Sequence, residues 1–183
     1  EIFEEYKADT QGRNNNYDCI IPVSGGKDSH FQTYLIKEVY GLNPLLVTFN
    51  HDFNTKLGLR NLRNLTYQFD CDLLRISVKP QTVQKLARHM IKKVGDLTWH
   101  YHTGIFTVPF QVAVNYNIPL VVWGEPTWSE VTGIFKLEDK PEFTKWSRDQ
   151  YDMRGVDIDE IAEEVPDLDK DDLLPYQFPD YER

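Results

Sequence analysis

The chain has 183 residues, 40% of them hydrophobic and 13% aromatic, which is enough to bury a core in one globular domain without disulfides or a structural metal. No apolar run approaches the ~20 residues of a membrane-spanning helix, and no signal-peptide or lipidation pattern is present. The formal charge is −9 and lies wholly in the last quarter: residues 1–135 carry 13 Lys+Arg against 13 Asp+Glu, residues 136–183 carry 7 against 16, a balance that disfavours general affinity for nucleic acid.

Tyr17–Val23 reads as a buried strand that ends in Ser24-Gly25-Gly26. A helix follows from about Ser29 to Tyr40, with Phe31, Leu35, Ile36 and Val39 on its apolar face and Gly41 as its stop. Leu45–Phe49 is a second strand, and Leu59, Leu62, Thr66 and Phe69 mark a second helix. Leu73–Val78 is a third strand, followed by a helix through Val83, Leu86, Met90 and Val94. The next helix is expected to start near Thr107, with Pro109 in its first turn, and to run to about Tyr116. Leu120–Trp123 is a fourth strand entering Gly124-Glu125. After Gly133 the regularity fails, although a short helix is expected around Asp157–Val165.

This alternation predicts an α/β fold, a doubly wound parallel sheet covered on both faces. We divide it into a domain over 1–135 and an irregular acidic extension over 136–183 that belongs to the same functional unit. Ligands in such folds bind outside the carboxyl ends of the strands, where Ser24–Ser29, Asn50–Thr55 and Gly124–Glu130 fall. Cys19 and Cys71 are far apart, so no CxxC pair exists; we read both as structural and expect a reducing, cytoplasmic setting. The chain opens at Glu1 without Met, which suggests a fragment.

The strongest signal is Val23-Ser24-Gly25-Gly26-Lys27-Asp28-Ser29, between the first strand and the first helix. Paired glycines permit positive φ and close approach of the backbone to a ligand. Successive N–H groups and a helix start favour an anion. Ser24 and Ser29 add hydroxyls, Lys27 a cation, and Asp28 a carboxylate for a metal or a cap. The string is neither GxxxxGK[ST] nor GxGxxG.

SGGKDS after a hydrophobic strand resembles the PP-loop of the N-type ATP pyrophosphatases, in the adenine nucleotide alpha-hydrolase-like superfamily. The resemblance implies ATP cleavage between the α and β phosphates, adenylation of a carbonyl-type oxygen, and displacement of AMP by a nucleophile. It assigns Ser24, Gly25, Gly26, Lys27, Asp28 and Ser29 to the pyrophosphate and its Mg²⁺, and places adenine near Thr48, Phe49 and Asn50. Longer stretches, Tyr17–His30, Gly41–Asn50, His102–Pro109 and Trp123-Gly124-Glu125, are similar to the N-acetyl sugar amidotransferase family over about residues 14–180. That narrower resemblance implies conversion of an acetamido group on a nucleotide-linked N-acetyl sugar to an acetamidino group, for bacterial surface polysaccharide. It also implies ammonia from separate glutamine amidotransferase subunits, a glutaminase plus a cyclase-like protein. The cysteine-bearing upstream segment and the fifth strand of relatives are not matched here.

Among single residues, Glu125 is a candidate for Mg²⁺ binding or substrate orientation, with Gly124 beside the nucleotide; Glu130 is weaker. His102 and His100 are candidates for the sugar pocket or for acid–base work, though no third ligand makes them a metal pair. His30 is a candidate for ligand contact. Lys56 and Arg60, with Arg63, suit a substrate diphosphate or simply a solvated helix face. Lys85, Arg88 and Lys92 read as solvated surface, and the acidic tail as an appendage or a docking segment. The rival readings are a tRNA-modifying PP-loop enzyme (a thiolase or a lysidine-type ligase) and a non-catalytic adenine-nucleotide-binding module.

Overall fold

A computed structural model describes residues 2–10, 16–124 and 144–180. Helix α1 (Ile2–Thr10) precedes β1 (Cys19–Pro22), α2 (Lys27–Tyr34) and β2 (Pro44–Asn50). Then come α3 (Lys56–Phe69), β3 (Leu73–Ser77), α4 (Pro80–Lys93) and α5 (Trp99–Asn115). Among the described residues the C-terminal stretch holds three short α-helices, α6 (Lys145–Ser147), α7 (Ile158–Glu164) and α8 (Lys170–Leu173), the last running into a 3-10 turn over Leu174–Tyr176. Wider π-type turns continue α2 over Leu35–Val39 and α6 over Arg148–Asp152.

Among the described residues all pairing is parallel: Ile20 faces Leu45 across β1 and β2, and Val47 faces Leu74 across β2 and β3. On the other side of β1, Val121 makes a single parallel bridge to Ile20. The Ile20 N–H donates to the Leu120 carbonyl, and the Val122 N–H to the Ile20 carbonyl, both at 2.8 Å. The spatial order therefore runs from Val121 through β1 and β2 to β3. The chain winds outward from β1 in one direction, then returns through α5 to the opposite side. That reversal makes the sheet doubly wound and sets a crevice at the carboxyl end of β1. The expected fourth strand is thus reduced to one bridge.

Strand side chains alternate between two cores, as a period of two requires. Ile20, Leu45, Val47 and Phe49 face α4, α5 and the C-terminal helices; Cys19, Ile21, Val23 and Leu46 face α2 and α3. Phe3 and Tyr6 of α1, a helix not anticipated from sequence, pack on that second core. The Tyr6 hydroxyl donates to the Asp18 carbonyl at 2.6 Å.

Helix α5 starts at Trp99, eight residues before the expected Thr107, so Pro109 lies inside it. Proline removes the N–H that the Ile105 carbonyl would accept. Burial outweighs that cost: Trp99, Thr103, Thr107 and Val108 are all fully buried.

The acidic stretch is held against α4. Lys79 pairs with Asp172 at 2.7 Å, and Lys93 with Glu160 and Glu164 at 3.0 and 2.7 Å. His89 meets Glu164 at 2.9 Å, and Lys85 donates to the Asp167 carbonyl. Lys85 is therefore engaged rather than simply solvated, whereas Arg88 and Lys92 stay exposed. Ile161, Val165, Leu168, Leu173 and Tyr176 bury themselves in the same core as Ile20 and Val47. Tyr176 sets its ring 6.0 Å from Phe49 and 5.8 Å from Trp99.

Candidate active site at the strand ends

The loop after β1 turns on Gly25, whose φ of +81° only glycine adopts without strain. A Cβ there would also stand 3.0 Å from the Gly58 carbonyl oxygen and the Leu62 nitrogen of α3. Ser24 closes the turn: its N–H donates to Ser29 Oγ at 2.9 Å, and its Oγ accepts from the Gly26 N–H at 3.3 Å. Gly26 caps α2 with extended backbone, and no side chain caps the first-turn N–H groups. Those donors are left for an anion, aided by the helix dipole. Lys27 is almost fully exposed and lies 3.2 Å from a half-exposed Asp28 carboxylate.

A cleft of about 310 Å³ opens beside this loop. Ser24, Asp28 and Ser29 form its polar side, and Thr48 and Phe49 line it at the end of β2. His102, Ile105, Phe106 and Pro109 come from α5, and Trp123 and Gly124 follow the bridged fourth strand. Four distant stretches singled out from sequence thus meet in one crevice. Phe49 fits because Gly104 has no side chain: a Cβ there would lie 2.5 Å from the Phe49 ring.

Several candidates take other positions. His30 is not in the lining; its Nδ1 donates to the Gly26 carbonyl at 2.9 Å and braces the loop from behind. Asn50 is consumed by its own loop and by β3. Its Oδ1 accepts from Arg75 and Asn54, and its Nδ2 donates to Asp52 and Ser77. His100 is buried under the cleft wall rather than in it, with both ring nitrogens unpartnered among the described residues. Burial holds its imidazole below the ordinary pKa, so the ring is neutral. Lys56 and Arg60 sit on the exposed face of α3, outside the lining, because the helix turns its Leu62 and Leu65 side inward. Glu125 and Glu130 lie outside the described residues.

His102 is half-exposed, with its Nδ1 3.8 Å from the Asp96 carboxylate and 3.5 Å from Thr98 Oγ1. Burial lowers its pKa; Asp96 opposes that and Arg154 adds to it. Burial also acts to raise Asp96, but two hydrogen bonds from Thr98, at 2.6 and 2.7 Å, with His102 and Arg154 nearby, keep that carboxyl below its ordinary value. The result is an imidazole whose neutral form is favoured by burial, with the Thr98 hydroxyl at hydrogen-bond reach of Nδ1 and the Asp96 carboxylate just beyond it, an arrangement open to a proton acceptor.

Sequence reasoning did not single out His51, Asn54 or Gln32, which also line the cleft. His51 and Asn54 belong to the polar cluster after β2, so their position was available. His51 stacks on exposed Phe53 and leans on Tyr101, with centroids 6.0 and 5.6 Å away. Gln32 carries no sequence signal; only the fold brings it to Gly124.

The two cysteines are buried. Burial pushes the Cys19 thiol up to about 12 and raises Cys71 as well. Neither is a nucleophile. Among the described residues no group of three or more His, Cys, Asp or Glu is arranged to hold a metal ion, and no helix is long and apolar enough to cross a membrane.

No family model matches the chain. An uncharacterized protein of Methanocaldococcus jannaschii is 35% identical over 71 residues, which make up 39% of this chain and 26% of that protein. The match thus spans about a quarter of the relative's length. The ammonia-dependent NAD synthetase of Campylobacter jejuni, solved with nitrate, is 16% identical with a TM-score of 0.52, over 97% of this chain and 86% of that one. The chain therefore shares the α/β fold of that synthetase. NMN synthetase of Francisella tularensis is 18% identical with a TM-score of 0.43, over 64% of this chain and 52% of that one. A predicted tRNA methyltransferase subunit of Methanocaldococcus jannaschii is 19% identical with a TM-score of 0.43, over 81% and 63%.

Proposed function

We propose that the chain is the catalytic unit of an ATP-dependent, AMP- and pyrophosphate-forming carbon–nitrogen ligase. Its substrate in this reading is the acetamido group of a nucleotide-linked N-acetyl sugar, and its product an acetamidino sugar for bacterial surface polysaccharide. The observation that carries the reading is the loop Ser24–Ser29, turned on Gly25 at φ +81°, ending on a helix start with no side-chain cap, and opening on a strand-end cleft.

The residues present fit ATP. Uncapped N–H groups, Ser24, Ser29 and the exposed Lys27 offer donors to a pyrophosphate, and Thr48 and Phe49 give the adenosine an apolar wall. They also fit Mg²⁺ in the form that travels with phosphates, which takes one or two carboxylates rather than a protein cage; Asp28 is the described carboxylate in the lining. Mg²⁺ would neutralise charge that gathers on the leaving pyrophosphate.

The chain's own part is positioning and electrostatics. An acetamido carbonyl is a poor electrophile, and its oxygen a poor leaving group. Attack of that oxygen on the α-phosphorus forms an O–P bond, breaks the bond to pyrophosphate, and turns the oxygen into part of AMP. Ammonia then adds to the carbon and AMP departs. His102 takes the proton that the attacking nitrogen must lose, since its imidazole is neutral and at the cleft. By the family resemblance, ammonia would come from separate glutaminase and cyclase-like subunits; buried Cys19 and Cys71 are poorly placed to act as a glutaminase nucleophile. The same burial tells against a thiolase.

The test is the product of ATP turnover. Full chain with MgATP, ammonium salt and a panel of UDP- and CMP-linked N-acetyl sugars should release AMP and pyrophosphate with one sugar class. ADP and phosphate, or no turnover, would overturn the reading.

A further inference from the structure

The cleft has a feature that ATP as placed above does not use. Gln32 stands one helical turn beyond Asp28 on α2 and lines the crevice. Its amide lies flat over Gly124: a Cβ on that glycine would be 2.5 Å from Gln32 Oε1 and 2.7 Å from Nε2. The Nε2 atom is buried and has no hydrogen-bond partner among the described residues. A buried donor without a partner is uncommon in a folded protein, and at a cleft it points to a ligand that completes it.

Beside it stands an aromatic wall. The Trp123 indole is stacked on Phe106 at 5.0 Å and 13°, and lies near-parallel to Phe110 at 6.3 Å and 7°. Two side chains one turn apart on α5 thus hold the indole in a fixed plane, and Trp123 lines the cleft next to Gly124. A rigid ring and an unsatisfied amide donor lining one cleft suit a ring-bearing ligand that carries a carbonyl oxygen.

Resting on the function proposed above, we infer that Trp123 and Gln32 form the acceptor subsite: the indole takes the sugar ring, and the Gln32 amide N–H donates to the acetamido oxygen. The layout of the cleft favours the acceptor over the nucleotide as occupant. Thr48 and Phe49 lie at the β2 end, the phosphate loop sits at the centre, and Trp123 and Gly124 lie on the opposite side of β1. In phosphoryl transfer the attacking oxygen enters roughly in line with the departing group. With adenosine on the β2 side, the space left for the attacking oxygen is the Gln32 end. A donor there holds that oxygen toward the α-phosphorus. The χ3 torsion of glutamine is soft, so the amide can swing its nitrogen to the cleft side.

The experiment compares Gln32→Met and Trp123→Leu with wild type, using full chain, MgATP and the N-acetyl sugar that supports AMP release. KM for the sugar should rise at least tenfold in both variants while KM for ATP stays within twofold. Gln32→Met should melt no lower than wild type, because it keeps the side-chain length and removes the orphaned donor. If Trp123→Leu fails to fold, Gln32→Met decides alone. A rise in KM for ATP with the sugar KM unchanged would give this end of the cleft to the nucleotide and overturn the inference. So would unchanged KM values in a Gln32→Met protein that melts lower, which is the mark of a purely structural side chain. Wild type that forms no AMP with any sugar overturns the functional reading, and this inference with it; AMP formation with unmoved KM values overturns the inference alone.

Discussion

Gly25 and Gly26 are neighbours with the same missing side chain, yet the fold asks different things of them. Gly25 sits at φ +81° and would drive a Cβ against α3 backbone at 3.0 Å. Backbone atoms of a packed helix cannot swing aside, and the left-handed conformation alone costs an L-residue about 1–2 kcal/mol. Gly26 has φ −76°, and its Cβ would meet only Ser24 Oγ, a rotatable hydroxyl, at 3.3 Å. Gly25→Ala should therefore lose about 2–3 kcal/mol, a drop of roughly 5–10 °C in melting temperature. Gly26→Ala should lose less than about 1 kcal/mol. Thermal denaturation of both variants checks the contrast. Equal losses would mean that the loop relaxes around either methyl group, and that its shape is not set by α3.

At the scale of elements, the C-terminal helices pose a question of which force docks them. Each ion pair with α4 keeps one partner in solvent: Lys79 is 77% exposed against 17% for Asp172, and Glu160 and Glu164 are 59% and 46% exposed against 23% for Lys93. Such pairs are screened and contribute little. Ile161, Leu173 and Tyr176 are fully buried. Apolar burial therefore wins, and Ile161→Ala should cost about 2–5 kcal/mol in urea denaturation. Lys93→Gln should scarcely move the midpoint, and 1 M NaCl should not detach the segment. A large loss in Lys93→Gln would reverse the assignment. This docking also marks where sequence reading stops. The strands β1 to β3 and the loop after β1 were legible, because buried parallel strands read as apolar runs and glycine pairs punctuate them. The α7 helix was legible from Ile158 and Ile161. The start of α5 was not: Trp99-His100-Tyr101-His102 has no helical period, and Pro109 reads as a first-turn residue, so only burial against β2 and Tyr176 makes the whole stretch helical. Within the site, Ser24–Ser29, Thr48, Phe49, His102 and Gly124 lay at strand ends or in a chemically loaded string. Gln32 did not, since a glutamine on a helix face carries no signal until a glycine from a distant stretch of chain meets it.

Across the whole molecule, two buried groups should give stability a pH profile with opposing limbs. Asp152 is buried with one carboxylate oxygen unpartnered among the described residues, and burial pushes its pKa up to about 8 against the pull of Arg154 and Arg148. In the unfolded chain it ionises near pH 4, about the value of free aspartate. Between those values the unfolded state has lost a proton that the native state retains. The stability Asp152 contributes is therefore fully present below about pH 4 and falls as pH rises toward 8. His100 works the other way. Its folded pKa is depressed by burial, so the unfolded state takes up a proton first, and stability is lost as pH falls below about 6.5. From about pH 6.5 to 8 the Asp152 limb dominates, with a slope of at most about 1.4 kcal/mol per pH unit, or roughly 2 kcal/mol over the interval. Wild-type protein should accordingly melt several degrees lower at pH 8 than at pH 6.5. Asp152→Asn keeps the shape, removes the ionisation, and should flatten that limb while leaving the acid limb of His100 in place. A wild-type melting temperature that does not change between pH 6.5 and 8 would mean that Asp152 is already ionised in the native state. Water or a rearranged Arg154 would then have to reach its buried oxygen. The proposed chemistry needs the neutral His102 imidazole, which also asks for pH above its depressed pKa. Stability and turnover therefore call for the same side of neutrality on the acid limb and part company on the alkaline one.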